Sequence, residues 1–260
     1  MTSEIALFYN KMGEDGNPPL VILHGLFGLG DNWATLARQF SQHFTVYMPD
    51  QRNHGRSPNT DDFSYEILVA DIHNFVVENL SSSPIHLIGH SMGGKVAMLF
   101  AQKYPNLIEK LVVVDMPMRH IAVNEQLKYL TILEKIDLNV ATRAEVETKM
   151  AIEISDFGIR QFLLKNLFRN QDDVFEWRIN IPVLLKILPV LKTSVQPQHT
   201  FGKPTLFVRG ANSNYITAAD YTPIAQTFLL VSIVTIEGAG HWVHADKPKQ
   251  LFDQIMAFFS

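Results

Sequence analysis

Short apolar runs alternate along the chain with longer stretches in which apolar residues recur every three or four positions. Six short runs stand out: 20–24 (LVILH), 44–48 (FTVYM), 85–88 (IHLI), 111–114 (LVVV), 205–208 (TLFV) and 232–236 (SIVTI). Continuous runs of this kind suit strands buried on both faces of a parallel sheet better than half-exposed strands, which alternate. Ile5 to Tyr9 adds a candidate edge strand. The longer stretches have helical spacing. Asn32 to Phe40 is apolar at 33, 36, 37 and 40. Tyr65 to Leu80 is apolar at 65, 68, 69, 72, 75, 76 and 80, behind Ser64 as an N-cap. Gly93 to Tyr104 and Lys249 to Phe259 follow the same pattern, the second behind Pro248. Strands alternating with helices predict an α/β domain with a parallel sheet and right-handed crossovers.

The rhythm breaks between Met118 and Gly202. Ile152 to Phe168 and Ile181 to Val190 read as helices there, and no strand run is evident. This predicts an α/β core from residues 1–117 and 203–260, with residues 118–202 inserted as a helical cap.

Composition narrows the function classes. The chain has 260 residues, enough for one large domain or a core with an insertion. It is 47% hydrophobic and 18% charged, which excludes a disordered chain. A net charge of -4 gives no electrostatic drive toward nucleic acid or an anionic membrane. The absence of cysteine excludes disulfides, thiolate metal sites and a cysteine nucleophile. No apolar run approaches the ~18 residues of a membrane span. Met1 to Gly13 lacks the basic start and long apolar stretch of a signal peptide, so the expected location is cytoplasmic.

Candidate chemistry begins at Gly89-His90-Ser91-Met92-Gly93. This Gly-x-Ser-x-Gly pentapeptide follows a strand run and opens a helix, the setting in which a strained turn lifts a serine oxygen above a sheet. A serine hydroxyl is a weak nucleophile at neutral pH and needs a base. His241 follows the last strand run within Gly238-Ala-Gly-His241, and we prefer it to His244 because it directly follows the glycine turn. No HExxH pattern or third ligand supports zinc at these histidines, and no cofactor is expected. An oxyanion needs two N–H donors. Met92 offers one, and the His24-Gly-Leu-Phe-Gly28 loop offers Leu26, with Phe27 as the alternative. His24 reads as a loop brace.

The carboxylate that orients the base is harder to place. In the α/β-hydrolase pattern that the Gly-x-Ser-x-Gly turn resembles, a glycine after the penultimate strand is followed three residues later by Asp, but here Gly210 plus three is Ser213. Asp220 lies farther on, on a predicted helix, and Asp246 lies beyond the histidine loop. Asp115 ends the 111–114 strand run, where a carboxylate points toward the cleft of an open sheet. We assign Asp115. The segment 49–57 (PDQRNHGRS) reads as a polar loop fixed by its own side chains.

Taken together, HGLFG at 24–28, DQRNHGRS at 50–57, GHSMGGK at 89–95, VVVDMP at 112–117 and GAGHWVHADKP at 238–248 resemble the α/β-hydrolase superfamily, and within it the YbfF-type bacterial esterases. The resemblance implies a mostly parallel eight-stranded sheet with a helical cap inserted after the sixth strand. It implies a serine esterase acting on short acyl esters or thioesters. It also implies an acid at Asp115, since YbfF-type members lack one in the loop matching 210–213. Carbon–carbon bond hydrolases, perhydrolases, a menaquinone-pathway lyase and non-catalytic hydrolase-fold receptors share this architecture and are the alternatives. Phe157, Phe162, Leu163, Phe168, Phe175 and Trp177 are candidate pocket residues, with core packing as their default role.

Overall fold

The computed structural model describes every residue except 1–3, 81–83 and 197. The chain begins with β1 (Tyr9–Met12), β2 (Pro19–Leu23), α1 (Ala34–Phe40), β3 (Thr45–Pro49) and α2 (Tyr65–Asn79). It continues through β4 (Ile85–His90), α3 (Met92–Lys103) and β5 (Ile108–Val114). Next come α4 (Asn124–Lys135), α5 (Arg143–Glu153), α6 (Phe157–Leu164), β6 (Leu167–Arg169), β7 (Phe175–Trp177) and α7 (Ile181–Lys192). The chain closes with β8 (Phe201–Gly210), α8 (Ala218–Thr227), β9 (Phe228–Ile236), α9 (Val243–Asp246) and α10 (Pro248–Phe259).

The main sheet has the order β1-β3-β2-β4-β5-β8-β9. Only β1 runs antiparallel to its neighbour. The central strands are apolar throughout because both faces are covered. Leu20 and Ile22 of β2 join α1 and α10 on one face, through Trp33, Leu36, Phe40, Leu251 and Ile255. Val21 and Leu23 of the same strand pack with α2 and α3 on the other, through Leu68, Ile72, Val96 and Phe100. Ser64 caps α2 by accepting the Ile67 N–H at 3.2 Å.

Several expectations change. The main sheet has seven strands among the described residues, not eight, and the helical segment follows β5, the fifth strand, rather than a sixth. The edge strand begins at Tyr9 because the preceding segment bonds to a loop instead of a ladder: the Phe8 N–H donates to Ser57 Oγ at 2.9 Å. The single helix expected over 152–168 is broken. Glu153 ends α5, and Asp156 starts α6 by accepting the Ile159 N–H at 2.9 Å. Finally, 118–202 is not purely helical. β6 and β7 form an antiparallel hairpin, turned by Asn170, whose side chain accepts the N–H groups of Asp172 and Val174 at 2.9 and 3.0 Å. β8 also starts at Phe201, two residues before the expected boundary.

Candidate active site

Ser91 occupies the turn between β4 and α3 with φ 53° and ψ -120°. A left-handed non-glycine residue costs about 1–3 kcal/mol and persists only where its surroundings impose it. Here the approach of neighbouring backbone imposes it: a Cβ on Gly93 would lie 2.5 Å from the Leu23 carbonyl oxygen. The turn therefore needs glycine at that position, and Ser91 is held at the N-terminal end of α3, where the helix dipole favours negative charge.

His241 sits between β9 and α9. Its loop is fixed twice. The Gly240 N–H donates to Asp246 Oδ2 at 2.8 Å, and the His90 Nε2–H donates to the His241 carbonyl at 2.9 Å. Asp115 follows β5 at φ 47° and is fully buried. These three residues, distant in sequence, form a chain of hydrogen bonds. Ser91 Oγ donates to His241 Nε2 at 2.9 Å, and His241 Nδ1–H donates to Asp115 Oδ2 at 2.7 Å. An imidazole with one nitrogen bonded to a carboxylate presents its other nitrogen as an acceptor for the hydroxyl proton. Asp220 and Asp246 are elsewhere. Asp220 caps α8 and pairs with Arg119 at 2.9 Å, while Asp246 holds the Gly240 turn.

Several contacts at the site were not anticipated. Ser213 Oγ donates to Asp115 Oδ2, and the Gly210 N–H donates to Oδ1 at 3.2 Å. The absence of an acid at position 213 was visible in the sequence, but its hydroxyl's reach to Asp115 was not. The Tyr215 ring stacks on the His241 ring at 3.7 Å between centroids, 16° from parallel. Gln126 of α4 donates to the Tyr215 hydroxyl at 3.1 Å. Asn166 donates to the Phe27 carbonyl at 2.7 Å, tying the 24–28 loop to the segment before β6.

His24 is a brace, accepting the Gln51 N–H at Nε2 and donating from Nδ1 to the Gly25 carbonyl. Burial pushes its pKa down to about 4 and that of His244 to about 3, and it pushes His90 well below the ordinary value. His244 stacks on Trp33 at 4.6 Å. The 49–57 loop is fixed by a buried Arg52–Asp71 pair at 2.7 Å and by Asp50, which accepts the N–H groups of Gly30 and Arg56 at 2.6 and 2.9 Å.

A cavity of about 260 Å³ opens onto Ser91 and His241, walled largely by Phe27, Trp33, Tyr129, Phe162 and Trp242. Of the six aromatic and aliphatic residues proposed from the 118–202 segment, Phe162 and Leu163 line this cavity. Phe157 is exposed, and Phe175 is buried in the core. Leu26, Ser91 and Met92 share the wall of a second, much smaller space. Among the described residues no group of three His, Asp or Glu side chains is placed to hold a metal ion, and no helix is long and apolar enough to cross a membrane.

Residues 18–145 match the α/β hydrolase fold family model. The chain is 38% identical to the sn-1-specific diacylglycerol lipase ABHD11 of Mus musculus, over 98% of this chain and 86% of that protein. The chain belongs to the α/β-hydrolase family. It is 31% identical to the esterase YbfF of Escherichia coli (strain K12), over 95% of both chains. A solved structure described as a marine microorganism esterase matches with a TM-score of 0.95 and 39% identity, over 98% of this chain and all of that one. Esterase and lipase relatives at these identities make it a hydrolase of that family.

Proposed function

We propose that the protein is a serine carboxylic ester hydrolase, with residues 1–117 and 203–260 as its catalytic core and most of 118–202 as a cap. The observation that carries this reading is the unbroken hydrogen-bond chain from Ser91 through His241 to Asp115 beside an apolar cavity. The relatives named esterase and lipase support an ester substrate.

Ser91 Oγ attacks the ester carbonyl as His241 Nε2 takes its proton. Asp115 holds the imidazole in the tautomer that accepts at Nε2 and stabilises the imidazolium. The N–H groups of Leu26 and Met92 receive the oxyanion, one from the loop after β2 and one from the first turn of α3. Collapse expels the alcohol, protonated by His241. Water then repeats the sequence on the acyl-enzyme and frees Ser91. The substrate is a small acyl ester, held by apolar walls and a few amides.

Two measurements test the reading. Ser91→Ala is expected to abolish turnover of p-nitrophenyl acetate and butyrate while the circular dichroism spectrum stays unchanged. A fluorophosphonate probe is expected to label the native chain rapidly, at Ser91 alone. Full activity in Ser91→Ala sinks the assignment, and slow labelling of the native chain favours a non-catalytic receptor.

A further inference from the structure

Two spaces meet at Ser91 and differ in size and wall. The smaller, about 20 Å³, is bounded by Tyr65, Met92, Met116, Ile121, Val123 and Leu191. The larger, about 260 Å³, includes His241 in a wall dominated by Phe27, Trp33, Tyr129, Phe162 and Trp242. Leu26, Gln126 and Tyr215 stand in both walls and divide them.

Proton transfer decides which half of an ester enters which space. His241 Nε2, 2.9 Å from Ser91 Oγ, hands its proton to the departing oxygen. That oxygen therefore leaves on the imidazole side of Ser91. His241 borders the larger space and does not border the smaller one. The alcohol half thus faces the aromatic cavity, and the acyl chain turns the other way, past Leu26 and Met92.

The small space then limits acyl length. One water-sized group needs about 10–15 Å³, so the void takes an acetyl methyl and little more. Its walls have little freedom to retreat. Met92, Met116, Val123 and Leu191 are all buried. The end of α7 that carries Leu191 is pinned from α3, where Lys95 Nζ donates to the Leu191 and Lys192 carbonyls at 3.2 and 3.4 Å.

Resting on the ester-hydrolase reading above, we infer that the substrate is an acetyl-sized ester of a bulky apolar alcohol. Met116, Val123 and Leu191 set the acyl limit, and Phe27, Phe162 and Trp242 select the alcohol.

Two ester series test this. In p-nitrophenyl acetate, butyrate and hexanoate, kcat/KM is expected to fall by about tenfold or more per step once the void is full. In methyl, butyl and hexyl acetates it is expected to rise. Met116→Ala and Val123→Ala, two variants in case one fails to fold, should each move the acyl optimum to butyrate or longer and leave the alcohol ratios unchanged. Phe162→Ala should change the alcohol ratios and leave the acyl profile alone. A native optimum at hexanoate, or an acyl profile that moves with Phe162→Ala and not with the void variants, overturns the assignment while leaving the esterase intact. If neither series is cleaved in a Ser91-dependent way, the ester-hydrolase reading falls with it.

Discussion

At the residue scale the Asp115 carboxylate is the most heavily held group of the site. His241 Nδ1–H and Ser213 Oγ–H both donate to Oδ2, and the Gly210 N–H donates to Oδ1. Asp115→Asn replaces an acceptor-only group by one that donates, and the imidazole then loses its working tautomer. Its kcat is expected to fall by about three to four orders of magnitude. Ser213→Ala leaves the acceptor in place and should cost about one order. Asp220→Asn is the control. Asp220 accepts from the Thr217 N–H at 2.8 Å and pairs with Arg119, so its loss should lower stability by about 1–2 kcal/mol and leave kcat nearly unchanged. Steady-state kinetics alongside urea melts separate the two outcomes, and a crippled kcat in Asp220→Asn would show the acid to be misassigned. The strained turn at Ser91 and the glycine loop of His241 were legible because glycine spacing and strand endings are local signals. Tyr215 and Gln126 were not, since their link to His241 depends on a stacking geometry that joins three elements.

At the element scale α7 is anchored at both ends. Asn180, its N-cap, donates to Asn53 Oδ1 at 3.0 Å, and the Asn180 N–H donates to the Asn53 carbonyl at 3.0 Å. At the other end Lys95, fully buried, donates to the carbonyls of Leu191, Lys192 and Thr193. A lysine among the last carbonyls of a helix satisfies acceptors that have no partner within it and complements the dipole. Lys95 lies on the helix that Ser91 begins, and Asn53 on the 50–57 loop, whose Gln51 N–H donates to His24 Nε2. Asn180→Ala is expected to cost about 1–2 kcal/mol and Lys95→Met about 1–3 kcal/mol in urea unfolding. Twelve helical residues separate the anchors by about 18 Å, so the double variant should be additive within about 0.5 kcal/mol. A strong coupling would show that the two ends do not act independently. The sequence marked 181–190 as helical from its periodicity. It held no sign of what fastened that helix, because Asn53 and Lys95 lie far from it in the chain.

At the scale of the whole molecule, buried histidines govern the response to acid. Burial pushes His24 and His86 down to about 4 and His54 and His244 to about 3, and it drives His90 lower as well. In the unfolded chain these groups titrate near 6.5. Between that value and their folded values the unfolded chain binds more protons, so their contribution is fully present above about pH 6.5 and is lost as pH falls toward 4 and then 3. Each adds a slope of up to about 1.4 kcal/mol per pH unit in that window. Asp50 and Asp71 oppose this. Burial raises both, so they favour the folded state slightly as pH falls through their folded values toward the ordinary carboxylate range. Five groups against two leave the sign unchanged. Tm is expected to drop steadily between pH 7 and 5, and a flat Tm across that interval contradicts the assignment of these imidazoles as buried and neutral.

The sequence by itself determined the alternating architecture, the strained serine turn and the histidine loop. Each is written in a run of neighbouring residues whose periodicity or glycine placement has one physical solution. It also pointed to Asp115, through the end of a strand and the missing acid at 213. Tertiary structure alone decided that Ser213 donates to the Asp115 carboxylate, that Tyr215 covers His241, and that a narrow space and a wide aromatic one meet at Ser91. Those features arise from side chains brought within a few ångströms by the order of strands in the sheet and by the segment laid over it, and no local pattern encodes such a meeting.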